Sequence, residues 1–510
     1  MHDPVGVASP PPHNLPPDSP PSPHKMINKK LILKLLGSLL WLEAILFAVC
    51  LALGVYYHES VLRSFGIPIL VAFLLGTIFI FAGRGAENRM GRRDGFLSVS
   101  LSWTTFCLVG CLPFILSGTE TRFAAAFFEA MSGFSTTGST ILNNIDDLPR
   151  SILFWRSLTH WFGGMGIVFF TIAILPIMGT GDIKLFSAEA SGLKLDKLHP
   201  RLSTTARWLI GFYLILTAAC TAAYCAGGMS PFDAVNHAFS TIATGGFSTH
   251  QSSFAFFNSP TLEGIAVVFM LLSGLNFSLL YLLIIRRRVR RVLSDGEVRC
   301  YLLLFLVAVA TVAGFLIFSD GEEPLAALRQ SVFNVASFQT TTGFTVSDPS
   351  PWPPVAVAVL VLVGLVGACA GSTSGGVKCV RLGVAVKVFT NEFRRMLHPN
   401  AVLPLRLGRT NLTAAVATTV FAFLMAYALL LLIGSFVLIC LGIPAPDAID
   451  LSISSLSNVG PAFGSFIGPL DSWSEMPDLG LWVSSFLMLA GRLEIFSLIL
   501  PFTPGFWRDN

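Results

Sequence analysis

Ten stretches of the chain are apolar for long enough to cross a bilayer, and polar segments separate them. They are Leu31–Tyr56, Ile67–Ala82, Phe96–Leu116, Ile152–Met178, Trp208–Cys225, Leu262–Ile285, Tyr301–Phe318, Val355–Cys379, Leu412–Leu441 and Leu479–Leu500. About 20 apolar residues in a helix span the hydrocarbon core, and the backbone groups of a segment in lipid must be satisfied within that segment. We therefore predict an all-α integral membrane protein with about ten transmembrane helices.

Composition agrees with this class, since 53% of the residues are hydrophobic and only 12% are charged. A soluble domain carries about 25% charged residues. A membrane enzyme would need a cluster of acids, bases or metal ligands at one membrane edge, and the sequence indicates none. We therefore predict that the chain is not an enzyme. The nine cysteines form no CxxC pattern, so neither zinc nor a disulfide framework is predicted. The small net charge of +4 gives no indication of nucleic acid.

Lysine and arginine residues lie before the first span and in the loops after the second, fourth, sixth and eighth spans. Cytoplasmic loops carry an excess of these residues, so we predict that both termini are cytoplasmic. The other loops are acidic, which would concentrate cations at a pore mouth. Ordinary solvated loop charges are the alternative interpretation of the same residues.

A repeat occurs in four of the acidic loops. Each contains a stretch of half-helix length that ends at a glycine, and a serine lies six positions before each glycine. The pairs are Ser132 and Gly138, Ser240 and Gly246, Ser337 and Gly343, and Ser454 and Gly460. This spacing predicts four pseudo-symmetric repeats of helix, re-entrant pore loop and helix around one central pore, preceded by two leading helices.

The residues at each glycine suit a dehydrated cation. Non-helical backbone at membrane depth is tolerated where it lines a cavity, and its carbonyl oxygens can replace the hydration shell of an ion. Glycine allows the backbone angles that align successive carbonyls. The predicted filter residues are Thr136, Thr137, Gly138, Thr244, Gly245, Gly246, Thr341, Thr342, Gly343, Asn458, Val459 and Gly460. Four unrelated surface turns are the alternative, which the even spacing disfavours.

These patterns divide the chain into six parts. We predict a disordered cytoplasmic tail at 1–30, two leading helices at 31–94, and pore repeats at 95–180, 205–292, 298–395 and 410–510.

Several segments of the sequence resemble the Trk/Ktr/HKT superfamily of potassium transporters, and its TrkH branch in particular. They are Asn236–Ser248, Gly367–Lys378, Gly491–Phe496 and Leu500–Arg508. The resemblance extends from Leu31 to the end. It implies potassium uptake across a bacterial inner membrane through a K⁺-selective, gated, channel-like pore. Gly138 occupies a position where a serine accompanies Na⁺ permeation in plant relatives, and this favours K⁺.

The resemblance also implies that the third repeat contains an intramembrane gating loop beneath the filter. The predicted gate residues are Gly371, Ser372, Thr373, Ser374, Gly375, Gly376, Lys378 and Arg492. A Gly/Ser run breaks a helix and persists in a membrane beside a cavity, although a small-residue packing face is the alternative. A charge within a span, such as Arg492, is a functional candidate, with an ion pair to Glu494 as the alternative. Lys378 could instead be an interface anchor.

Partners and transport mode complete the predictions. The resemblance implies a homodimer and a cytosolic ring of TrkA-type subunits that would hold any nucleotide, while the basic loops could face anionic lipid. The transported K⁺ is the only predicted bound ion, and no organic cofactor is expected on this chain. A symporter that couples K⁺ to H⁺ or Na⁺ on the same fold is the alternative function. His160 and His237 are isolated in the sequence, and we interpret them as structural.

Overall fold

The computed structural model describes residues 27–87, 90–169, 202–284, 286–401, 403–407 and 410–508. Most of the predicted N-terminal tail and the end of the predicted span Ile152–Met178 lie outside these residues. Within them the chain is built from helices. The one sheet in the described ranges is a two-stranded antiparallel ribbon of β1 (Arg406–Leu407) and β2 (Thr410–Asn411).

Two leading helices, α1 (Lys29–Tyr56) and α2 (Leu62–Ala82), pack against each other along their length. Their backbones approach closely where Gly37 meets Gly76, since a Cβ at Gly37 would lie 2.6 Å from the Gly76 carbonyl oxygen. Close approach through small residues is how helices associate in lipid, where the hydrophobic effect does not drive helices together. Phe47 of α1 then packs on Trp155, with ring centroids 4.6 Å apart, and joins the pair to the first repeat.

Four repeats follow, each with a first helix, a half-helix and a second helix. The first repeat contains α3 (Arg92–Gly110), α4 (Leu112–Ser117), α5 (Phe123–Phe134) and α6 (Arg150–Phe169). The second contains α7 (Leu202–Ala226), α8 (Pro231–Ala243), α9 (Pro260–Ser273) and α10 (Phe277–Ile284), followed by the linking helix α11 (Val289–Leu293). The third contains α12 (Gly296–Phe318), α13 (Pro324–Gln339), α14 (Pro354–Val366) and α15 (Cys379–Leu397). The fourth contains α16 (Ala414–Cys440), α17 (Ala445–Ser457), α18 (Asp478–Arg492), α19 (Phe496–Ile499) and α20 (Pro504–Trp507).

The half-helices α5, α8, α13 and α17 form the centre of the fold. Their residues are mostly buried, and every residue of α5 after Phe123 is buried. At 12 to 16 residues they are too short to cross a bilayer of about 30 Å. Each half-helix therefore enters the fold and ends inside it. The backbone N–H and C=O groups that follow must be hydrogen-bonded within the protein.

Six helices in the described ranges are long and apolar enough to span a membrane, and two bent pairs bring the number to eight. The bent pairs correct the prediction that Leu262–Ile285 and Leu479–Leu500 are continuous helices, because both turn by 115°. The first bends where the Asn276 amide bonds the Ala370 carbonyl, and the second where Glu494 and Ile495 both have φ of 56°. The predicted span Val355–Cys379 is helical only to Val366, and a non-helical segment follows it.

Candidate functional site

The four half-helices end in the same backbone geometry. In each, a residue one or two positions past the end of the helix is in the left-handed region, with φ of 53° to 55° at Thr136, Thr244, Thr341 and Asn458. The next N–H donates to the carbonyl of the recurrent serine, in the helix-ending turn known as the Schellman motif. These bonds are Thr137 to Ser132 at 2.9 Å, Gly245 to Ser240 at 2.8 Å, Thr342 to Ser337 at 2.8 Å and Val459 to Ser454 at 3.0 Å. The serine position that recurs in the sequence is therefore the residue whose carbonyl closes the half-helix.

The next residue in each repeat is the recurrent glycine, and these glycines bring the repeats together. Their φ angles are 90°, 85°, 80° and 102°, a region that side chains strain. A Cβ at Gly138 would overlap the Gly245 carbonyl oxygen, and one at Gly246 would overlap that of Thr342. A Cβ at Gly343 would overlap the Val459 carbonyl oxygen, and one at Gly460 would lie 2.5 Å from that of Thr137. Each repeat thus contacts the next, and the fourth contacts the first, so the predicted filter segments form a closed ring.

A cavity of about 60 Å³ opens above this ring. All four glycines line it, together with Ser139, Gln251 and Asp471. A single space that touches the same position of four repeats is what a pore on their common axis requires. Among the residues that the structure describes, Asp471 is the one acidic residue that lines this cavity, which we call the vestibule.

A buried ion pair supports the first two filter segments from behind. The Glu129 carboxylate in α5 pairs with the Arg156 guanidinium in α6 at 2.8 Å, and both side chains are almost fully buried. Glu129 also accepts the Ile141 N–H at 2.9 Å, while Arg156 donates to the Ser248 carbonyl at 3.2 Å. Ile141 follows the first filter segment and Ser248 follows the second. The ion pair therefore links the backbone segments that leave these two filter segments.

His160 packs against the second filter segment. Its ring stacks on Phe247 at a centroid distance of 4.0 Å, and its Nδ1 atom lies 3.2 Å from the Ser240 hydroxyl oxygen. A Cβ at Gly245 would overlap this ring. His237 lies nearby and bonds the Ser248 hydroxyl through Nε2 at 3.0 Å. Both histidines therefore contact the second filter or its flanking residues.

The non-helical segment between α14 and α15, residues 367–378, lies directly beneath the ring. It contains most of the residues that the sequence predicts to form a gate, and for that prediction we call it the gating segment. The Gly375 N–H donates to the Thr341 hydroxyl at 2.6 Å, and the Gly376 N–H donates to the Ser457 carbonyl at 2.9 Å. Thr373 lies under the second repeat, where its hydroxyl receives a bond from Thr244 at 3.2 Å. The segment thus contacts the ends of three half-helices.

Arg492 reaches the gating segment from α18. It is buried, and it donates to the Thr373 carbonyl at 2.7 Å and to the Gly163 carbonyl at 3.1 Å. Glu494, the alternative partner in the sequence, instead pairs with Arg381 of α15. Lys378 is also buried and donates to the Ser374 carbonyl, so it is not an exposed interface anchor.

Sequence reasoning missed the pair of Glu129 and Arg156. A signal was present, because each is a lone charge in an apolar stretch, and ionisable groups in such stretches are costly and usually functional. The predicted filter residues lie at the ring. Of the predicted gate residues, Thr373, Gly375 and Gly376 contact the half-helix ends beneath it, and Arg492 contacts Thr373.

Four re-entrant half-helices that present glycine-bearing backbone around one axis define a pore-loop membrane transport protein. A family model described as TrkH, cation transport protein, matches residues 63–508. The chain is therefore a member of the TrkH family of cation transport proteins.

Individual relatives agree. The chain is 39% identical over 456 residues to the Trk system potassium uptake protein TrkH of Salmonella typhimurium, covering 89% of this chain and 94% of that protein. It is 38% identical over the same length to the protein of that name in Escherichia coli K12. The crystal structure of the potassium transporter TrkH from Vibrio parahaemolyticus matches with a TM-score of 0.87 at 34% sequence identity, covering 94% of this chain and 99% of that one.

Proposed function

We propose that this chain is the K⁺-selective, gated pore of a potassium uptake system in a bacterial inner membrane. The observation that carries the proposal is the closed ring in which each filter glycine meets a backbone carbonyl of the next repeat. Backbone carbonyls in such a ring replace the water around K⁺ without a charged ligand. The half-helices add the negative ends of their dipoles beneath the ion.

We assign two roles within the twelve predicted filter residues, from Thr136 to Gly460. The carbonyls before each glycine face the ion, and the side chains hold the backbone in place. Thr137 illustrates this, since its hydroxyl contacts Ser135 at 2.7 Å and receives the Asn458 amide at 3.0 Å. Thr342 makes the matching contact with Thr340 at 2.8 Å.

We assign Gly371–Gly376, Lys378 and Arg492 to a gate. In this arrangement the gating segment blocks the path below the filter, and the buried positive charge of Arg492 opposes a passing cation. The contacts from Thr373 and Gly375 to the half-helix ends support this assignment. A gate of this kind opens when the non-helical segment moves away from the half-helix ends.

K⁺ uptake by cells that lack other K⁺ transport systems tests the function. The chain should restore growth at low K⁺, and Gly246→Ser should lower the preference for K⁺ over Na⁺, because its side chain would overlap the Thr342 carbonyl. Gly264→Ser is the matched control, since a Cβ there meets open space. Equal selectivity in the two variants would contradict the filter assignment.

We also propose a homodimer that binds a cytosolic TrkA-type ring, with both termini in the cytoplasm. The relatives are named as parts of a Trk system, which supports additional components. Helix α15 offers a surface, because Val386, Phe389 and Phe393 are exposed beside basic residues in its last turn. Copurification with a TrkA-type protein tests this surface. We expect copurification to be lost when Phe389 and Phe393 are replaced by serine.

Measured reversal potentials distinguish the pore from the symporter. A pore follows the K⁺ gradient alone, whereas a symporter shifts with an imposed H⁺ or Na⁺ gradient. The pairing of Glu129 with Arg156 favours the pore. A proton relay would need a carboxylate behind the first filter that is free to take up a proton, and the Glu129 carboxylate is paired with Arg156.

A further inference from the structure

The second filter segment differs from the first and third at the position before the filter glycine. Thr137 and Thr342 hold that position in the first and third repeats, and each hydroxyl contacts a hydroxyl two residues earlier, at 2.7 and 2.8 Å. The second repeat has Gly245 there and Ala243 two residues earlier, so it has no such pair of hydroxyls. The φ angle of Gly245 is not positive, so the backbone at this position does not require glycine. Any equivalent contact in the second repeat has to come from outside the segment.

The ring of His160, from α6, occupies the space beside Gly245. A Cβ at Gly245 would overlap the Nδ1 atom of this ring. The same Nδ1 atom lies 3.2 Å from the Ser240 hydroxyl oxygen of α8, and it accepts the Phe247 N–H at a distance of 3.4 Å from the Phe247 nitrogen. Ser240 precedes the filter segment and Phe247 follows it, so one nitrogen atom contacts the chain on both sides of the segment.

These bonds define the role of each ring nitrogen. Because the Phe247 N–H donates to it, Nδ1 is the acceptor, and the ring proton of His160 lies on Nε2. The side chain is fully buried, and Nε2 has no hydrogen-bond partner among the residues that the structure describes. A buried donor without a partner destabilises a fold, so an apolar ring would fill this space at less cost. What histidine provides here is the Nδ1 acceptor.

Arg156 lies one helical turn before His160 on α6, and it contacts the same residue of the second repeat. The Arg156 guanidinium carbon lies 4.2 Å from the Phe247 ring centroid, and the His160 ring centroid lies 4.0 Å from it. The Phe247 side chain is itself buried. Helix α6 therefore fixes the residue after Gly246 through two buried side chains, of which His160 also reaches the backbone.

We propose that His160 is a positioning residue for ion selectivity. Its Nδ1 atom takes the place of the threonine hydroxyl of the first and third repeats, and it fixes the Gly245 carbonyl where that carbonyl meets Gly138. The inference rests on the proposed function, because it assigns the residue to the filter of a K⁺-selective pore.

Flux measurements in liposomes separate the acceptor from the ring. His160→Phe keeps a flat apolar ring and removes the acceptor, so it should lower the K⁺ over Na⁺ flux ratio by roughly twofold to tenfold, the range that one net hydrogen bond spans. His160→Asn places an amide oxygen near the position of Nδ1 and should recover part of this ratio. Tyr224→Phe is the matched control, since it removes a buried hydrogen bond of 2.8 Å to Thr241 of the same half-helix, outside the filter segment. It should lower thermal stability and leave the ratio unchanged.

A pair of substitutions tests the comparison with the other repeats. His160→Ala opens space beside Gly245, and Gly245→Thr supplies the residue found in the first and third repeats. Each single variant should lose selectivity, and the double variant should be more selective than either. Nitrogen-15 NMR of labelled histidine in the unaltered chain, assigned by the signal missing from H160F, should show His160 with a proton on Nε2 and none on Nδ1.

Three results would each overturn the inference: a flux ratio in H160F equal to that of the unaltered chain, a double variant no more selective than its single variants, or a proton on Nδ1. If the unaltered chain itself did not discriminate between K⁺ and Na⁺, the proposed function would fail and this inference with it. Normal discrimination in both the unaltered chain and H160F would overturn this inference alone.

Discussion

The buried pair of Glu129 and Arg156 provides a quantitative prediction. Glu129→Gln keeps the shape of the side chain and removes its charge, which leaves the Arg156 guanidinium buried without a counter-ion. Removal of one partner of a buried pair costs about 3–5 kcal/mol in the free energy of unfolding. Both side chains are 1% exposed or less, so water offers little compensation.

The matched control is Glu263→Gln. Glu263 also pairs with an arginine, Arg329, at 2.6 Å, but the Arg329 side chain is 39% exposed. Exposed pairs contribute about 1 kcal/mol or less, so this variant should be only slightly less stable. Denaturant unfolding in detergent measures both free energies. Replacement of both Glu129 and Arg156 by apolar residues of similar size should recover much of the loss, because no charge remains unpaired.

Selectivity provides a second measurement on the same variant. Glu129 and Arg156 hold the backbone after the first and second filters through Ile141 and Ser248. Glu129→Gln should therefore lower the K⁺ over Na⁺ flux ratio as well as stability, whereas Glu263→Gln should leave this ratio unchanged. If Glu129→Gln were no less stable than Glu263→Gln, and equally selective, the pair would not support the filter as argued.

Three further predictions concern the gate and the vestibule. Arg492→Ala should raise rubidium flux, because it removes a positive charge and two bonds that hold the gating segment, and unchanged flux would leave Arg492 structural. Shortening Gly371–Gly376 should give a pore that conducts without its partner ring, and a variant that stays closed would refute the gate. Burial lowers the pKa of His250, but hydrogen bonds with Asp233 and Asp146 outweigh it and raise this pKa above its usual value. The stability that His250 contributes is therefore complete below about pH 6.5 and lost as the pH rises through the raised pKa. Thermal unfolding between about pH 6 and pH 9 should show this loss in the unaltered chain and not in His250→Asn, and an equal loss in both would contradict it.

The architecture of the pore could be predicted because it repeats. Apolar runs indicated the spans, and the recurrent glycines marked where each half-helix ends. The serine six positions earlier recurs in the sequence, but the reason is visible only in three dimensions, where its carbonyl closes the turn at Thr136 and its counterparts. A backbone bond of this kind has no side-chain signature of its own.

Long-range pairings were beyond sequence reasoning. Glu494 was the nearest candidate partner for Arg492, but positive φ angles at Glu494 and Ile495 turn the chain there, and Glu494 pairs with Arg381 instead. The bend within Leu262–Ile285 also depends on a distant contact, from Asn276 to the gating segment. A hydropathy pattern shows neither where the chain turns nor which element a side chain contacts after the turn.

The central claim is that the four filter glycines surround a site for a dehydrated K⁺ ion. Anomalous diffraction from crystals grown in thallous or rubidium salt tests it directly, because both ions substitute for K⁺ and scatter strongly. The account predicts anomalous peaks on the axis enclosed by Gly138, Gly246, Gly343 and Gly460, within bonding distance of backbone carbonyl oxygens. Peaks found only elsewhere, with none between these glycines, would contradict it.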